Sequence, residues 1–183
     1  MKYNFRPYLN PVFIETGTAD GCGVKAALKC RFPLVYSIEL SQQYFERAVF
    51  MFCKRKRRVK LYQGASQEML PIILSKIDKR CTFWLDAHYC GGLSGGQGVP
   101  IPIMQELQAI KNHHIKTHTI LIDDIRLLRT REEPDCKDFP YSIEDIENFI
   151  YSINPKYKIT YDFGIVENDI LVAQTNEYDD FDV

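Results

Sequence analysis

Short runs of apolar and β-branched residues recur along the chain, and most are separated by longer stretches with apolar residues at helical spacing. The short runs predict seven strands, at residues 12–16, 34–40, 59–63, 82–87, 119–123, 158–163 and 169–174. The longer stretches predict five helices, at residues 23–30, 42–54, 67–76, 103–112 and 143–153. Strand and helix therefore alternate through most of the sequence.

Such alternation is typical of a mostly parallel sheet with helices on both faces. The last two strands break the pattern, because residues 164–168 between them are too few for a parallel crossover. These strands are therefore expected to form an antiparallel hairpin. The sequence predicts one α/β domain over residues 1–183, a Rossmann-like three-layer sandwich with a seven-stranded sheet. Residues 1–11 would be an N-terminal extension and residues 176–183 an acidic tail.

Two serines stand where helix N-caps are expected. Ser41 precedes the second helix and Ser142 the last one. Asp145, three residues after Ser142, could complete a capping box in place of the usual Glu or Gln.

Composition and charge exclude some classes of protein. The net charge of −1 gives no global field that would attract nucleic acid or anionic lipid. No apolar run approaches the roughly 20 residues that cross a bilayer, and the N-terminus lacks the apolar region of a signal peptide. The six cysteines form no CxxC pair and fit no zinc spacing. Free thiols in a reducing, cytoplasmic location are therefore expected, and the oligomeric state, a homodimer included, is open.

The first strand runs into a glycine-rich loop, which is where open α/β sheets bind their ligands. Gly17 and Gly21 would let the backbone approach a ligand closely. A carboxylate at Glu15 would repel a pyrophosphate, but it suits a cationic ligand with an amino-acid end. This loop therefore favours S-adenosylmethionine (SAM) over NAD, and a glycine-rich turn without a ligand is the alternative.

Two further strand ends fit the same ligand. The second strand ends in Glu39, about 20 residues beyond the glycines, where an acid can accept hydrogen bonds from ribose hydroxyls. The third strand leads into Gly64, Ser66 and Gln67, where an adenine edge would lie. Ser66 or Gln67 could bond to the adenine, or could instead be the N-cap of the next helix.

Carboxylates follow the fourth and fifth strands. Asp86 and His88 come after the fourth strand, and Asp123 and Asp124 come after the fifth. The ends of these strands would be neighbours, so the three carboxylates would converge and raise one another's pKa. Mg²⁺ would relieve this repulsion and could lower the pKa of a substrate hydroxyl. Alternatively, Asp124 caps the next segment and Asp86 touches only the cofactor.

Four segments, FIETGTADGCG, SIEL, LYQGAS and FWLDAH, resemble in their order and spacing the successive motifs of class I SAM-dependent methyltransferases. The resemblance covers nearly the whole chain, including the final hairpin. It implies that Glu15 and the glycines lie near the methionine portion of SAM, Glu39 at the ribose and residues 64–67 near the adenine. The sequence departs from the commonest pattern in the spacing of its loop glycines and at Ala65, where many members carry an acid.

The acid after the fourth strand and the acidic pair after the fifth resemble those of metal-dependent O-methyltransferases. Examples are the macrolide and aminocoumarin sugar enzymes and, more distantly, catechol O-methyltransferase. This resemblance implies that Asp86, Asp123 and Asp124 are metal ligands. His88 is the candidate general base, because its reference pKa of about 6.5 needs little tuning. Asp86 is the second candidate catalytic residue. A hydrogen-bonded loop histidine is the alternative for His88.

A glycine-rich stretch over residues 89–98 lacks the Lys-Ser/Thr pair of a phosphate loop. It therefore predicts a mobile substrate loop rather than an ATP site. The substrate could also be enclosed by residues 127–141 or by another subunit. Arg126 could bind an anionic group of the substrate or pair with Asp124.

Three other features are assigned structural roles. The basic run at residues 54–58 with Lys60 favours a solvated helix end over a nucleic-acid patch. His113, His114 and His118 precede the fifth strand, at the wrong edge of the sheet for the site, and favour a surface cluster over a metal site. Trp84 lies in a buried-looking strand and is expected in the core.

The sequence thus predicts a SAM-dependent methyltransferase. The favoured reaction is Mg²⁺-assisted O-methylation of a small hydroxylated acceptor, with sugars among the candidates. One alternative is a metal-independent methyltransferase that acts on RNA or protein, and another is a catalytically silent Rossmann-like binding protein.

Overall fold

Seven strands form one sheet in the computed structural model, which describes residues 3–87, 101–130 and 139–176. The strands are β1 Val12–Thr16, β2 Leu34–Glu39, β3 Val59–Gln63, β4 Cys81–Leu85, β5 Thr119–Ile122, β6 Lys158–Asp162 and β7 Ile170–Gln174. Their order across the sheet is β3-β2-β1-β4-β5-β7-β6. The first five pair in parallel, and β7 pairs antiparallel with both β5 and β6. The predicted sheet and its closing hairpin are confirmed.

The helices are α1 Cys22–Lys29, α2 Gln42–Met51, α3 Ser66–Leu74, α4 Ile103–Asn112, α5 Ile125–Thr130 and α6 Ile143–Ile153. All five predicted helices are present, and α4 and α6 have the predicted bounds. Helix α2 ends before the predicted residue 54, because a 3₁₀ turn at Cys53–Arg55 replaces its last turn. Helix α5 was not predicted, since six residues are too few to show a helical period.

The sheet is buried on both faces, because successive side chains of a strand point to opposite sides. Ile14 and Phe83 lie on one face, in a core that includes residues of α3, α4 and α6. Phe13 and Trp84 lie on the other face, packed with residues of α1 and α2 and with the N-terminal segment 3–8. Trp84 is 1% exposed, so its predicted place in the core is confirmed.

One of the two predicted serine caps is confirmed. The N–H of Asp145 donates to the Ser142 hydroxyl at 3.1 Å, and the N–H of Ser142 donates to the Asp145 carboxylate at 2.7 Å, which completes a capping box. Ser41 stands at the N-cap position of α2, but its side chain makes no capping bond. The prediction of a Ser41 side-chain cap is therefore wrong.

The histidines before β5 do not form the predicted surface cluster, because His113 and His118 are buried and His114 alone is exposed. The N–H of Cys81 donates to Nδ1 of His118 at 3.0 Å, and Nε2 of His118 lies 2.9 Å from Nδ1 of His113. Nε2 of His113 lies 2.9 Å from the carbonyl oxygen of Ile77. A carbonyl only accepts, so the protons sit on Nε2 of both rings, and both histidines are neutral.

Four cysteines lie in the described part of the chain, and all four are free thiols, as predicted. Cys22 and Cys53 are exposed, whereas Cys30 and Cys81 are buried. No helix of residues 3–87, 101–130 or 139–176 has both the length and the apolar character needed to cross a bilayer.

Candidate active site

The loop after β1 lies on the carboxyl edge of the sheet, which is the edge at which β1 to β5 end. The N–H groups of Gly17 and Thr18 donate to the carbonyl oxygen of Ile38 at the end of β2, at 2.9 and 3.2 Å. Gly17 has φ 83°, and a Cβ there would lie 2.3 Å from the carbonyl oxygen of Asp86. Gly21 has φ 70° and is the N-cap of α1. Glycine is therefore required where the loop packs against β4 and where it turns into α1.

Glu15 lies beneath the loop and is 1% exposed. Its carboxylate accepts a hydrogen bond from the Ser37 hydroxyl at 2.5 Å and another from the N–H of Val24 in α1. A Cβ on Gly23 would lie 1.8 Å from Oε1 of Glu15, which explains the glycine there. Burial raises the pKa of Glu15 to about 8, although the bonds from Ser37 and Val24 oppose the rise. Glu15 thus joins the loop to β2 and α1.

Glu39 is the predicted ribose ligand, and it lies at the end of β2 as expected. Its Oε2 accepts from the N–H of Ala19 at 2.7 Å, and its Oε1 accepts from the N–H of Ser41 at 2.8 Å. A carboxylate has about four acceptor sites, so Glu39 keeps acceptor capacity for ribose hydroxyls. The same side chain fixes the tip of the loop relative to the start of α2.

The turn after β3 contains Gly64, Ser66 and Gln67. Ala65 occupies the N-cap of α3, so neither Ser66 nor Gln67 is an N-cap. Ser66 is 6% exposed, and its hydroxyl has no hydrogen-bond partner among the described residues. A buried hydroxyl without a partner costs about 1–3 kcal/mol, which a ligand atom bonded to it would offset. Gly64 has φ 144°, a conformation that side-chain-bearing residues rarely adopt.

Asp86, Asp123 and Asp124 come together at the carboxyl edge. One carboxylate oxygen of each lies within 4.8 Å of the others. The strand ends that carry them are joined by backbone bonds, from the N–H of Asp86 to Thr16 O at 3.2 Å and from the N–H of Asp123 to Leu85 O at 3.1 Å. Asp123 is buried, and the other two are half-buried. All three ligand atoms are oxygens, the donor type that Mg²⁺ prefers.

Arg126 pairs with Asp124 rather than facing the site as an isolated cation. Its guanidinium contacts the carboxylate of Asp124 and lies 2.6 Å from that of Asp169. Burial lowers the pKa of Arg126, but the two carboxylates outweigh burial and raise it overall. Asp169 is fully buried and also accepts from the N–H of Ile165 in the β6–β7 turn. The turn, Arg126 and Asp124 are therefore linked through Asp169, a residue that carries no local sequence signal.

Tyr3 is a second residue that the sequence does not reveal. Its hydroxyl donates to Oδ2 of Asp123 at 3.2 Å, and its ring centroid lies 4.8 Å from that of Trp84 and 5.8 Å from that of Phe5. Burial raises the pKa of Tyr3, as do the charges of Asp123 and Asp86, so the hydroxyl stays protonated at neutral pH. The predicted N-terminal extension thus reaches the carboxylate cluster.

A cleft of about 260 Å³ lies beside Tyr3, between the N-terminal segment 3–8 and the β6–β7 hairpin. Its lining is mostly aromatic and apolar and includes Tyr3, Phe5, Trp84, Leu121, Phe163 and Ile170. Tyr8 closes one side through a hydrogen bond from its hydroxyl to the Asp162 carboxylate. His88, the loop 89–98 and residues 131–138 lie outside the described residues.

No protein-family model and no curated protein matches the chain. Solved structures do match it. The complex of the O-methyltransferase TomG from Streptomyces achromogenes, involved in tomaymycin synthesis, with SAM gives a TM-score of 0.58 at 15% identity, over 94% of this chain and 76% of that one. The methyltransferase PaMTH1 of Podospora anserina, bound to S-adenosylhomocysteine (SAH), gives 0.61 at 13% identity, over 94% and 75%.

A candidate rRNA methylase from Clostridium thermocellum gives a TM-score of 0.62 at 13% identity, over 93% of this chain and 92% of that one. Similarity at these identities defines the fold and leaves the acceptor open. The sheet order, the closing hairpin and these matches agree. The chain therefore has the Rossmann-like fold of class I SAM-dependent methyltransferases.

Proposed function

We propose that the protein is a SAM-dependent methyltransferase that transfers a methyl group to an oxygen of a small hydroxylated acceptor, with Mg²⁺ held by Asp86, Asp123 and Asp124. The observation that carries this proposal is the convergence of three carboxylates within 4.8 Å of one another, beside the glycine loop. The fold supports the choice of methyl donor, because two of the matching structures hold SAM or SAH.

The proposed cofactor lies across the ends of β1, β2 and β3. Its methionine portion would follow the backbone at Gly17, where no side chain intervenes. Its ribose would bond to the acceptor sites that remain on Glu39, and its adenine would lie near Ser66, whose buried hydroxyl lacks a partner among the described residues. SAM supplies a methyl group that its sulfonium activates towards attack by an oxygen nucleophile.

The carboxylate cluster fits a hard divalent cation, because it offers three oxygen ligands and leaves coordination positions for water or an acceptor. Mg²⁺ bound there would chelate acceptor hydroxyls and lower their pKa. Two side chains hold the carboxylates in place. Tyr3 donates to Asp123, and Arg126 contacts Asp124. His88 is proposed to remove the proton from the acceptor hydroxyl.

The part of the site that would bind the acceptor suits a small molecule better than RNA. The cleft beside Tyr3 is small and largely aromatic, which suits the body of a compact ligand whose hydroxyl reaches the carboxylates. Three carboxylates at this edge would repel the phosphates of an RNA acceptor. Among small acceptors, a sugar is one proposal and an aromatic alcohol is another.

Metal binding can be tested without knowing the acceptor. We expect Mn²⁺, used as a paramagnetic substitute for Mg²⁺, to bind the wild type, with binding followed by electron paramagnetic resonance. Asp123→Asn should weaken binding at least about tenfold, because it removes one ligand charge. Asp78→Asn, at an exposed acid away from the cluster, should not change it. Equal Mn²⁺ affinity in all three proteins would contradict the metal site.

Assays of methyltransferase activity then test the proposed reaction. SAH release should be screened over a panel of sugars and aromatic alcohols, in chelator and with Mg²⁺ added back. The proposal requires that Mg²⁺ restores turnover and that Asp123→Asn loses this response. Full turnover in chelator would favour a metal-independent methyltransferase. Failure of calorimetry to detect any SAM binding would instead indicate a silent binding protein.

A further inference from the structure

Charge is unevenly distributed along this chain. Residues 21–67 contain ten Lys or Arg and two Asp or Glu, whereas the rest contains thirteen Lys or Arg and twenty-two Asp or Glu. One of the two acids, Glu39, is buried and bonded to backbone. The sheet order places α1, β2, α2 and β3 together at one side, so a cationic half adjoins an acidic half. The net charge of −1 conceals this separation.

The positive charge is densest at one corner of the cationic half, where α2, the following 3₁₀ turn and the start of β3 meet. This basic corner consists of Arg47, Lys54, Arg55, Lys56, Arg57 and Lys60, all of them exposed. No Asp or Glu occurs between Arg47 and Gln67. None of the six forms an ion pair with another described residue. A helix C-terminus carries about half an elementary charge, so a helix dipole does not account for six cations.

An exposed aromatic residue lies within this corner. Phe50 is 83% exposed, and its neighbours Val49 and Met51 are 40% and 42% exposed. Arg47 also lies over the ring of Tyr44, with its guanidinium carbon 5.5 Å from the centroid. Sites for single-stranded nucleic acid combine these two elements, since cations contact the phosphates and bases stack on aromatic rings. Three apolar side chains are few for insertion into a lipid surface, which needs a broad apolar face.

We infer that the basic corner, with Phe50, binds single-stranded RNA. Single RNA strands suit this corner because their unstacked bases are accessible to the exposed ring of Phe50. The corner is not the methyl-transfer site. Helix α2 starts just after Glu39 at the carboxyl edge and runs about 15 Å to the opposite edge, where β3 begins. RNA bound here anchors the protein rather than presenting the methyl acceptor, so the inference stands apart from the proposed reaction.

The test measures binding of a fluorescent oligouridylate by anisotropy over a series of salt concentrations. The key variant combines Lys54→Ser, Arg55→Ser and Arg57→Ser, all at exposed positions. Arg58 is left intact because its guanidinium donates to the carbonyl oxygen of Phe32 at 2.7 Å. The matched control combines Lys76→Ser, Lys79→Ser and Lys158→Ser, exposed lysines of the other half. Circular dichroism checks that each protein is folded.

Removing three phosphate contacts should reduce the slope of log affinity against log salt by about two and weaken binding at least about tenfold at low salt. The control triple should bind within about twofold of the wild type. Phe50→Ser should weaken binding about fivefold or more with an unchanged salt slope, because stacking involves no counterion release.

Three results would overturn the inference. The first is no binding of oligouridylate by the wild type at about 50 mM salt, where phosphate contacts are strong. The second is an equal loss of affinity in the control triple. The third is tighter binding of phosphatidylserine vesicles than of RNA through the same residues, which would make the corner a membrane-binding surface.

Discussion

At the scale of single residues, buried polar groups distinguish the parts of the site. Glu15 is buried, and its carboxylate accepts hydrogen bonds from Ser37 and Val24, both within the chain. Ser66 is also buried, but its hydroxyl lacks a partner among the described residues. A group that is buried and satisfied holds the fold together. A group that is buried and unsatisfied points to a ligand.

Two measurements on Ser66→Ala distinguish a ligand-binding role of this serine from a role in holding the fold together. Without ligand, we expect the melting temperature to stay unchanged or to rise, because the variant removes an unsatisfied hydroxyl. The dissociation constant for SAH should rise about fivefold, the loss expected for one hydrogen bond. Ser75→Ala, at an exposed serine after the same helix, should change neither quantity. Unchanged SAH affinity in Ser66→Ala would show that the adenine lies elsewhere.

Glu15→Gln tests the elevated pKa of that carboxyl. The pKa is 4.5 in its ordinary state and about 8 in the fold, so the native state is progressively destabilised as pH rises from about 4.5 to 8. Gln keeps an acceptor for Ser37 and Val24 and does not ionise. The melting temperature of the wild type should therefore fall relative to the variant by about 3 °C or more between pH 5.5 and 8.5.

The control for Glu15→Gln is Glu46→Gln, at an exposed acid in α2, which should show the pH dependence of the wild type. A constant difference in melting temperature between wild type and Glu15→Gln across this range would show that Glu15 ionises normally.

Residues that follow predicted strands could be placed from the sequence, because parallel strands end at one edge. Glu39, Asp86, Asp123 and their neighbours follow this rule. Tyr3 and Asp169 could not be placed in this way. Tyr3 meets Asp123 across 120 residues of sequence, and Asp169 meets Arg126 across 43, contacts that depend on tertiary packing rather than on a local pattern.

At the scale of elements, periodicity predicted long helices better than short ones. Helices α4 and α6 have the predicted bounds because three turns are enough to show an apolar face. Helix α5 and the 3₁₀ turn after α2 are too short for that. The segment joining α4 to β5 differs from its prediction for another reason. Its histidines are polar, yet each finds a partner that allows burial.

The buried histidine pair predicts acid sensitivity. Burial lowers the pKa of His118 well below its ordinary value, and it lowers that of His113 as well. Below about pH 6.5 the unfolded chain therefore binds protons that the native chain does not. His118 should then contribute a loss of up to about 1.4 kcal/mol per pH unit in the free energy of unfolding as pH falls, opposite in sign to the contribution of Glu15, so it is measured as the difference between the wild type and a variant at His118. Urea denaturation at pH 7, 6 and 5 measures it.

Relative to the wild type, His118→Asn should gain stability as pH falls from 7 to 5, because Asn can still accept from the N–H of Cys81 but does not titrate. His114→Asn, at the exposed neighbour, should keep the dependence of the wild type. Equal slopes in His118→Asn and the wild type would mean that the buried pair is not responsible.

At the scale of the whole molecule, the proposed function assigns different roles to the two halves of the sheet. The proposed cofactor lies on the cationic half, and the carboxylate cluster lies on the acidic half. A ligand that bridges β1, β2 and β3 should stabilise the entire domain, because a ligand that binds the native state alone shifts the unfolding equilibrium.

SAH at about 100 times its dissociation constant should raise the free energy of unfolding by about 2.7 kcal/mol. For a chain of this length the melting temperature should rise by about 5–10 °C, as measured by differential scanning fluorimetry. NAD at the same concentration should give no shift, since the sheet order, the closing hairpin and the matching structures are those of SAM-dependent methyltransferases. A shift with NAD and none with SAH would reverse the assignment of the cofactor.

The position of Tyr3 bears on how the protein should be produced. Tyr3 contacts Asp123 and lines the cleft, so an affinity tag fused before it would emerge beside the carboxylate cluster. Strand β7 ends at Gln174 on the opposite edge of the sheet, where a tag would be remote from both. If the protein binds Mg²⁺ and an acceptor as proposed, binding assays with N-terminally tagged protein would underestimate both affinities. A carboxyl-terminal or cleaved tag is therefore the appropriate design.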